Sequence, residues 1–158
     1  MEIHALLRKI STQLPEYNCF LMYGAVVAVD GLGYMFTAPS GTGKSAHVAL
    51  WKKCFENAEI INGDKPFIRV DESGVWVYGH AMAGKESWQK NVAVPLKGVC
   101  LLGRGEENRI ELISPMQVLP YIMRQIHYTN ETKMAGRTLE LLNVMMADVP
   151  VEADGDGD

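Results

Sequence analysis

The sequence has few cysteines, no excess of basic residues and no long apolar segment. Its three cysteines, Cys19, Cys54 and Cys100, are scattered, so they form neither a disulfide framework nor a C-x-x-C metal motif. The net charge of −4 argues against non-specific nucleic-acid binding, which needs a basic surface. The longest apolar run, from Cys19 to Val29, is too short to cross a bilayer. Without a signal-peptide pattern as well, we expect a cytoplasmic protein with no nucleic-acid or membrane partner.

The length and composition are those of one globular domain. The chain has 158 residues, of which 47% are hydrophobic and 22% are charged, and a domain of this size buries a sufficient core without disulfides. We place this domain at residues 1–150. The last segment, residues 151–158, is acidic and glycine-rich, and we expect it to be a disordered tail.

Hydrophobic periodicity and turn residues predict a chain of short strands with few helices. Apolar residues spaced by three and four predict a first helix, and β-branched or aromatic runs predict the strands. Leu96–Leu102 and Arg109–Ile113 are expected to form an antiparallel pair. The other predicted strands are Phe20–Asp30, Tyr34–Thr37, Ala58–Asn62, Pro66–Val70 and Val75–Tyr78. The predicted helices are Ile3–Leu14, Lys44–Phe55, a helix capped by Ser114 that runs to about His127, and Thr138–Met146. The segment from His80 to Val92 is expected to be a loop.

Strands that follow one another directly favour antiparallel hairpins over alternating βα units. We therefore predict an α/β fold with a mixed, largely antiparallel sheet around the helix that begins at Lys44.

The segment Ala38–Ser45, APSGTGKS, matches a phosphate-binding P-loop except that Ala38 replaces the first glycine. It lies between a predicted strand and a predicted helix, which is the context that this motif requires. Backbone N–H groups from Ser40 to Gly43 can surround phosphate oxygens, and the helix N-terminus adds positive charge. Lys44 can reach the β- and γ-phosphates, and Ser45 can bind Mg²⁺. The alternative is a chance glycine-rich turn. The expected ligands are ATP and Mg²⁺, held by Ser40, Gly41, Thr42, Gly43, Lys44 and Ser45.

Beyond the loop, the chain resembles the kinase/phosphorylase of the phosphocarrier protein HPr, which shares a P-loop fold with phosphoenolpyruvate carboxykinases. The resemblance lies in the hairpin and loop Tyr23–Ser45, in the segment IINGD, and in Val77–Leu102 and Glu107–Gln125. It covers roughly Phe20–Pro150 and is closer to compact HPr-kinase-like proteins associated with peptide modification. Two positions differ from the family pattern. Tyr23 replaces a histidine, and Lys65 replaces the second of two aspartates.

Two further residues are candidates for the site. Asp64 follows a predicted strand, where it could bind Mg²⁺ or accept a hydroxyl proton; the alternative is an ordinary turn aspartate. Lys85 lies on a glycine-flanked segment that could approach the γ-phosphate and stabilise transferring charge; the alternative is a surface lysine. Lys65 could replace a metal's charge or be solvated.

The expected function is ATP-dependent transfer of a phosphoryl group to a Ser or Thr hydroxyl of a small protein or peptide. Asp64 and Lys85 are the candidate catalytic residues, and Ser45 and Asp64 the candidate metal ligands. One alternative is a regulatory nucleotide-binding module with impaired catalysis, which the changes at Tyr23 and Lys65 favour. Another is a small-molecule kinase. The HPr-type members are hexamers, so the resemblance leaves a homo-oligomer open.

Overall fold

The computed structural model describes residues 2–38, 43–79, 92–103, 110–127 and 131–154. In chain order the elements are α1 (Glu2–Gln13), a 3-10 helix (Leu14–Tyr17), β1 (Cys19–Leu21), β2 (Ala25–Val29), β3 (Leu32–Thr37), α2 (Lys44–Cys54), β4 (Ala58–Asn62), β5 (Phe67–Asp71), β6 (Gly74–Tyr78), β7 (Ala93–Leu102), β8 (Ile110–Leu112), α3 (Pro115–Met123), α4 (Thr132–Asp148) and β9 (Val151–Asp154).

The strands form one mixed sheet. The main path runs β1-β5-β6-β7-β3-β2-β4, and β9 adds to β7 with β8 beyond it. Among the described strands, β3–β7 and β7–β9 pair in parallel and all other pairs are antiparallel. The long β7 joins the two halves, because its first residues pair with β6 and its later residues with β3 and β9. The predicted α/β class with a largely antiparallel sheet is confirmed.

Side chains on β2 and β3 are buried on both faces of the sheet. Val26, Ala28 and Met35 pack into the core on the side of α3 and α4. Val27 and Phe36 point the other way and pack under α2. A strand covered on both faces needs apolar residues at every position, which explains the unbroken sequence AVVAV of β2.

The predicted strand Phe20–Asp30 is wrong, since the chain breaks into β1 and β2 at residues 22–24. β1 pairs with β5, whereas β2 pairs with β3 and β4. At the break, the backbone N–H of Tyr23 donates to the carbonyl of Gln125 and that of Gly24 to the carbonyl of Asp64. The run is uniformly apolar because both strands are buried, so its composition could not reveal a change of partner.

The end of the chain also differs from the prediction. β8 does not pair with β7; it pairs antiparallel with β9, and β9 lies parallel to β7. Residues 151–154 therefore belong to the sheet and not to a disordered tail, and Val151 is buried. The backbone pairing with β7 and the burial of this one valine outweigh the acidic composition that suggested disorder. Residues 155–158 lie outside the described part of the chain.

The helices agree with the prediction in position but not in length. α3 begins with Ser114 as N-cap, whose hydroxyl accepts from the backbone N–H of Gln117, and with Pro115 at its first position. It ends at Met123 and not near His127, because the chain turns so that Ile126 bridges to Met22. α4 is longer than predicted despite an internal glycine, since its buried face packs on the core. In the described residues, no helix is long and apolar enough to span a membrane.

Candidate phosphate-binding site

The P-loop connects the end of β3 to the start of α2. Thr37, the last residue of β3, is fully buried, and its hydroxyl donates to the carbonyl of Tyr23 at 2.8 Å. This bond fixes the point at which the loop leaves the sheet. Ser40, Gly41 and Thr42, three of the predicted phosphate ligands, lie outside the described residues.

Gly43 shows why the motif requires glycine before the lysine. It is the N-cap of α2 and has φ of 100°, a left-handed conformation that other residues rarely adopt. Its carbonyl accepts from His47 at 3.0 Å, which begins the helix. The backbone N–H groups of the first turn have no partner further back in the helix, so they are available to an anion.

Lys44 is half-buried at the first turn of α2. Burial lowers the pKa of its ammonium group below the ordinary value, and the negative charge of Asp64 partly opposes this shift. A lysine held in a partly desolvated position interacts more strongly with phosphate than a solvated one does. Ser45, the next residue, is also half-buried.

Asp64 lies at the same edge of the sheet as the P-loop. β4 and β3 are both antiparallel to β2, which lies between them, so their C-terminal ends lie at the same edge of the sheet. Asp64 follows two residues after β4, and its charge acts on Lys44. The side chain of Asp64 is 34% exposed, so a ligand can reach it.

Asn62 positions this aspartate, and the sequence interpretation missed it. Asn62 is completely buried, and its Oδ1 accepts from the backbone N–H groups of Asp64 at 2.9 Å and Lys65 at 2.8 Å. The carbonyl of Asp64 accepts from Gly24 at 2.9 Å. The N-G-D sequence contained the signal, because asparagine commonly bonds to the backbone two residues later in such turns.

Lys65 is adjacent to Asp64 and forms an ion pair with it, with 2.5 Å between Nζ and Oδ2. The Lys65 side chain is 18% exposed, so the pair is partly shielded from solvent. The Lys65 ammonium group therefore contacts one oxygen of the candidate catalytic carboxylate.

Lys85 lies outside the described residues, but the residues flanking its segment are described. The N–H of Gly79 donates to the carbonyl of Val92 at 2.9 Å, next to the N-terminal end of β7. Thr37 pairs with Leu101 near the other end of β7. Val92 and Leu101 are nine positions apart along nearly extended chain, which is roughly 30 Å. The described residues that flank the Lys85 segment therefore lie at the end of β7 that is far from the start of the P-loop.

The residues present fit a magnesium ion. Mg²⁺ prefers oxygen ligands and takes few of them from protein when phosphates and water supply the rest. The Ser45 hydroxyl, next to Lys44 in the chain, and the Asp64 carboxylate, whose charge acts on Lys44, offer such oxygens. Among the described residues, no three His, Cys, Asp or Glu side chains converge as a protein-only metal cluster would require.

Comparison with known proteins gives a match in structure only. No protein-family model matches the chain. No curated protein matches it. The chain is similar to the solved structure of the Hpr(Ser) kinase/phosphatase from Coxiella burnetii, over 86% of this chain and 84% of that one. The identity is 9% and the TM-score is 0.46.

Proposed function

We propose that the chain binds MgATP at the P-loop and transfers the γ-phosphoryl group to a Ser or Thr hydroxyl of a small protein or peptide. The observation that carries the proposal is the placement of Asp64 within electrostatic range of Lys44, at the edge of the sheet where the P-loop begins. Phosphoryl transfer needs positioned cations and one carboxylate near the γ-phosphate, and this edge brings the two together from distant parts of the sequence.

Each described residue has a defined part in the proposed reaction. Lys44 binds the β- and γ-phosphates and offsets their charge. Ser45 and Asp64 hold Mg²⁺, which neutralises phosphate charge when bound. If Asp64 is not a metal ligand, its carboxylate accepts the proton of the acceptor hydroxyl. The acceptor oxygen then bonds to the γ-phosphorus, the bond from the γ-phosphorus to the bridging oxygen breaks, and ADP leaves with the bridging oxygen.

The Asp64–Lys65 ion pair favours a second candidate, a nucleotide-binding module with impaired catalysis. A carboxylate oxygen that contacts an ammonium group is less accessible to a metal ion or to an acceptor hydroxyl than a free one. In this alternative, the P-loop binds nucleotide and the bound state controls an interaction with another protein. A third candidate, a kinase for a small molecule, differs from the first only in the acceptor.

Calorimetry with MgATP tests the binding step. Lys44→Ala removes a partly desolvated charge and should weaken MgATP binding by roughly 10²-fold. Lys52→Ala, at an exposed position in the last turn of the same helix, should leave the affinity unchanged. If Lys44→Ala binds as well as wild type, the phosphates bind elsewhere and the proposal is wrong.

Mass spectrometry tests the transfer step. The wild-type chain is incubated with MgATP and a peptide library that contains Ser and Thr, and the peptides are searched for the mass of one added phosphoryl group. Binding without any transfer to peptides or to small hydroxyl compounds would favour the regulatory module.

A further inference from the structure

A cavity of about 260 Å³ lies beside the body of α2, over the face of the sheet formed by β3, β7 and β9. Phe36 pairs with Cys100 and Cys100 with Glu152, so the side chains of these three residues lie in one row on that face. Tyr34 pairs with Gly98 in the neighbouring row. Gly98 has no side chain, which leaves the space above β7 open.

Aromatic rings form one wall of the cavity. Tyr34 and Phe36 project from β3, and His47 and Trp51 approach from α2. The ring centroids of Phe36 and His47 are 4.6 Å apart, those of Phe36 and Trp51 are 5.1 Å apart, and those of Tyr34 and Trp51 are 5.4 Å apart. These separations are typical of attractive ring pairs, so the rings hold one another in place. The π-face of a ring carries negative potential, and a ring lining therefore favours a cation over an anion.

Glu152 adds a negative charge to this aromatic lining. It is half-buried, and its carboxylate has neither an ion-pair nor a hydrogen-bond partner among the described residues. Lys97 also lines the cavity, but it is exposed, so solvent screens its charge. A partly desolvated carboxylate attracts a cation more strongly than a solvated one does. Lys44 does not line the cavity, which is therefore separate from the phosphate site.

We propose that this cavity binds a small organic cation, a quaternary ammonium group with short alkyl substituents. The rings contact the substituents and attract the charge through their π-faces, and the Glu152 carboxylate balances that charge. A primary ammonium group has three N–H donors that need acceptors, whereas a quaternary one has none and suits a lining that is mostly aromatic. An apolar cavity of about 150 Å³ holds benzene, so the larger one here has room for such a group. The inference does not depend on the function proposed above.

The test compares two compounds of the same shape. Choline is the cation, and dimethylbutanol is the uncharged compound in which carbon replaces the choline nitrogen. Each is titrated into the isotope-labelled full chain, and the N–H signals are followed by NMR. Choline should shift the Gly98 amide and Trp51 indole signals, and dimethylbutanol should bind about 10-fold more weakly because it lacks the charge.

Two variants test the charge and the ring separately. Glu152→Gln keeps the shape and removes the charge, so it should weaken choline by about three- to five-fold and leave dimethylbutanol within a factor of about two. Glu59→Gln on β4, which does not line the cavity, is its control. Trp51→Leu removes a ring and should weaken choline by about 10-fold. Its control is Trp76→Leu, at a half-buried tryptophan of β6 outside the cavity.

A third variant fills the cavity without removing any ring. A Cβ atom at Gly98 meets only Tyr34 Cδ1, at 3.7 Å, which is an ordinary contact. Valine is favoured in strands, so Gly98→Val should fold normally and occupy part of the cavity. We expect it to weaken choline and dimethylbutanol alike, by about 10-fold for choline.

Four outcomes would overturn the inference. If choline shifts no signal of the wild-type chain, the cavity is not a cation site. Equal binding of choline and dimethylbutanol would make it a purely apolar cavity. If Glu152→Gln binds choline as well as wild type does, the carboxylate does not select the cation. If both Trp51→Leu and Gly98→Val leave choline binding unchanged, choline binds outside the cavity. MgATP binding at the P-loop is measured separately, so none of these results bears on the proposed function.

Discussion

The Lys65 ammonium group contacts the Asp64 carboxylate, with 2.5 Å between Nζ and Oδ2. Asp64 also acts electrostatically on Lys44, so one carboxylate interacts with two lysines. The balance between these interactions determines whether the aspartate is available to a metal ion or to an acceptor hydroxyl. The two candidate functions, kinase and regulatory module, differ on this point.

Replacing Lys65 with methionine tests this balance directly. Lys65→Met keeps most of the side-chain stem and removes the charge that holds Asp64. If Asp64 is a metal ligand, the Mg²⁺ dependence of nucleotide binding should shift to lower Mg²⁺ concentration, by about three- to ten-fold for a partly exposed pair. Calorimetry at several Mg²⁺ concentrations measures the shift. An unchanged dependence would show that Lys65 does not compete with the metal.

Replacing Asp64 with asparagine should separate binding from turnover. Asp64→Asn should keep MgATP affinity within a few-fold and lower turnover by roughly 10²-fold or more, because the amide is not a base and is a poorer metal ligand. ADP release in the presence of an acceptor peptide measures turnover. Asp71→Asn, at the last residue of β5, is the control and should have no effect. Wild-type turnover in Asp64→Asn would make Asp64 an ordinary turn residue.

The lowered pKa of Lys44 predicts a pH dependence of nucleotide binding. Phosphate binding requires the charged ammonium form, so affinity should fall as pH rises through the pKa of Lys44 in the free protein. Because burial lowers this pKa from its ordinary value, the fall should begin at lower pH than for a solvated lysine. Calorimetry from about pH 7 to pH 10 checks it.

Lys44→Arg is the matched variant for this pH dependence, since guanidinium stays charged over the whole range. Its affinity for nucleotide should be lower at neutral pH but nearly constant as pH rises. A parallel decline in wild type and Lys44→Arg would assign the titration to another group.

The lowered pKa of Lys44 also affects the stability of the fold. Between the lowered pKa of Lys44 in the folded chain and its ordinary pKa in the unfolded chain, the unfolded chain binds more protons. The free energy of unfolding should therefore rise with pH in that range, because the buried lysine loses its charge.

Lys85 remains a predicted catalytic residue. If it contacts charge that develops during transfer, Lys85→Met should lower turnover by about 10-fold to 10³-fold and nearly keep ATP affinity. Steady-state kinetics and calorimetry on the same variant measure the two quantities. An equal loss in ATP affinity would make Lys85 a ground-state phosphate ligand. No change in either quantity would make it a surface lysine.

Replacing Gly24 or Gly136 with alanine should have opposite effects on the stability of the fold. A Cβ atom at Gly24 would lie 2.9 Å from the backbone carbonyl oxygen of Phe36, which cannot move easily. Gly24→Ala should therefore destabilise the fold by about 1–3 kcal/mol and lower Tm by roughly 2–10 °C. Gly136 in α4 has no atom within 4 Å of such a Cβ, so Gly136→Ala should stabilise by about 0.5–1 kcal/mol. Thermal unfolding by circular dichroism checks both; an unchanged Tm for Gly24→Ala would contradict the predicted clash.

The sequence alone determined the features that depend on neighbouring residues. The Asp30-Gly31 turn of the β2–β3 hairpin follows from two residues that accept positive φ, observed at 55° and 78°. The start of α2 at Lys44 follows from the left-handed Gly43, and α3 begins where Ser114 and Pro115 predict. Each of these signals acts within about four residues, so it can be read without knowing the rest of the fold.

The tertiary structure decided which distant segments meet. The break at Tyr23 and Gly24 results from bonds to Gln125 and Asp64, and β9 enters the sheet because β7 offers it a free edge. The juxtaposition of Asp64 with Lys44 depends on the order of β4, β2 and β3. Buried strands have similar apolar composition whatever their partner, so strand order is set by the combined packing of the whole core, and local sequence does not contain it.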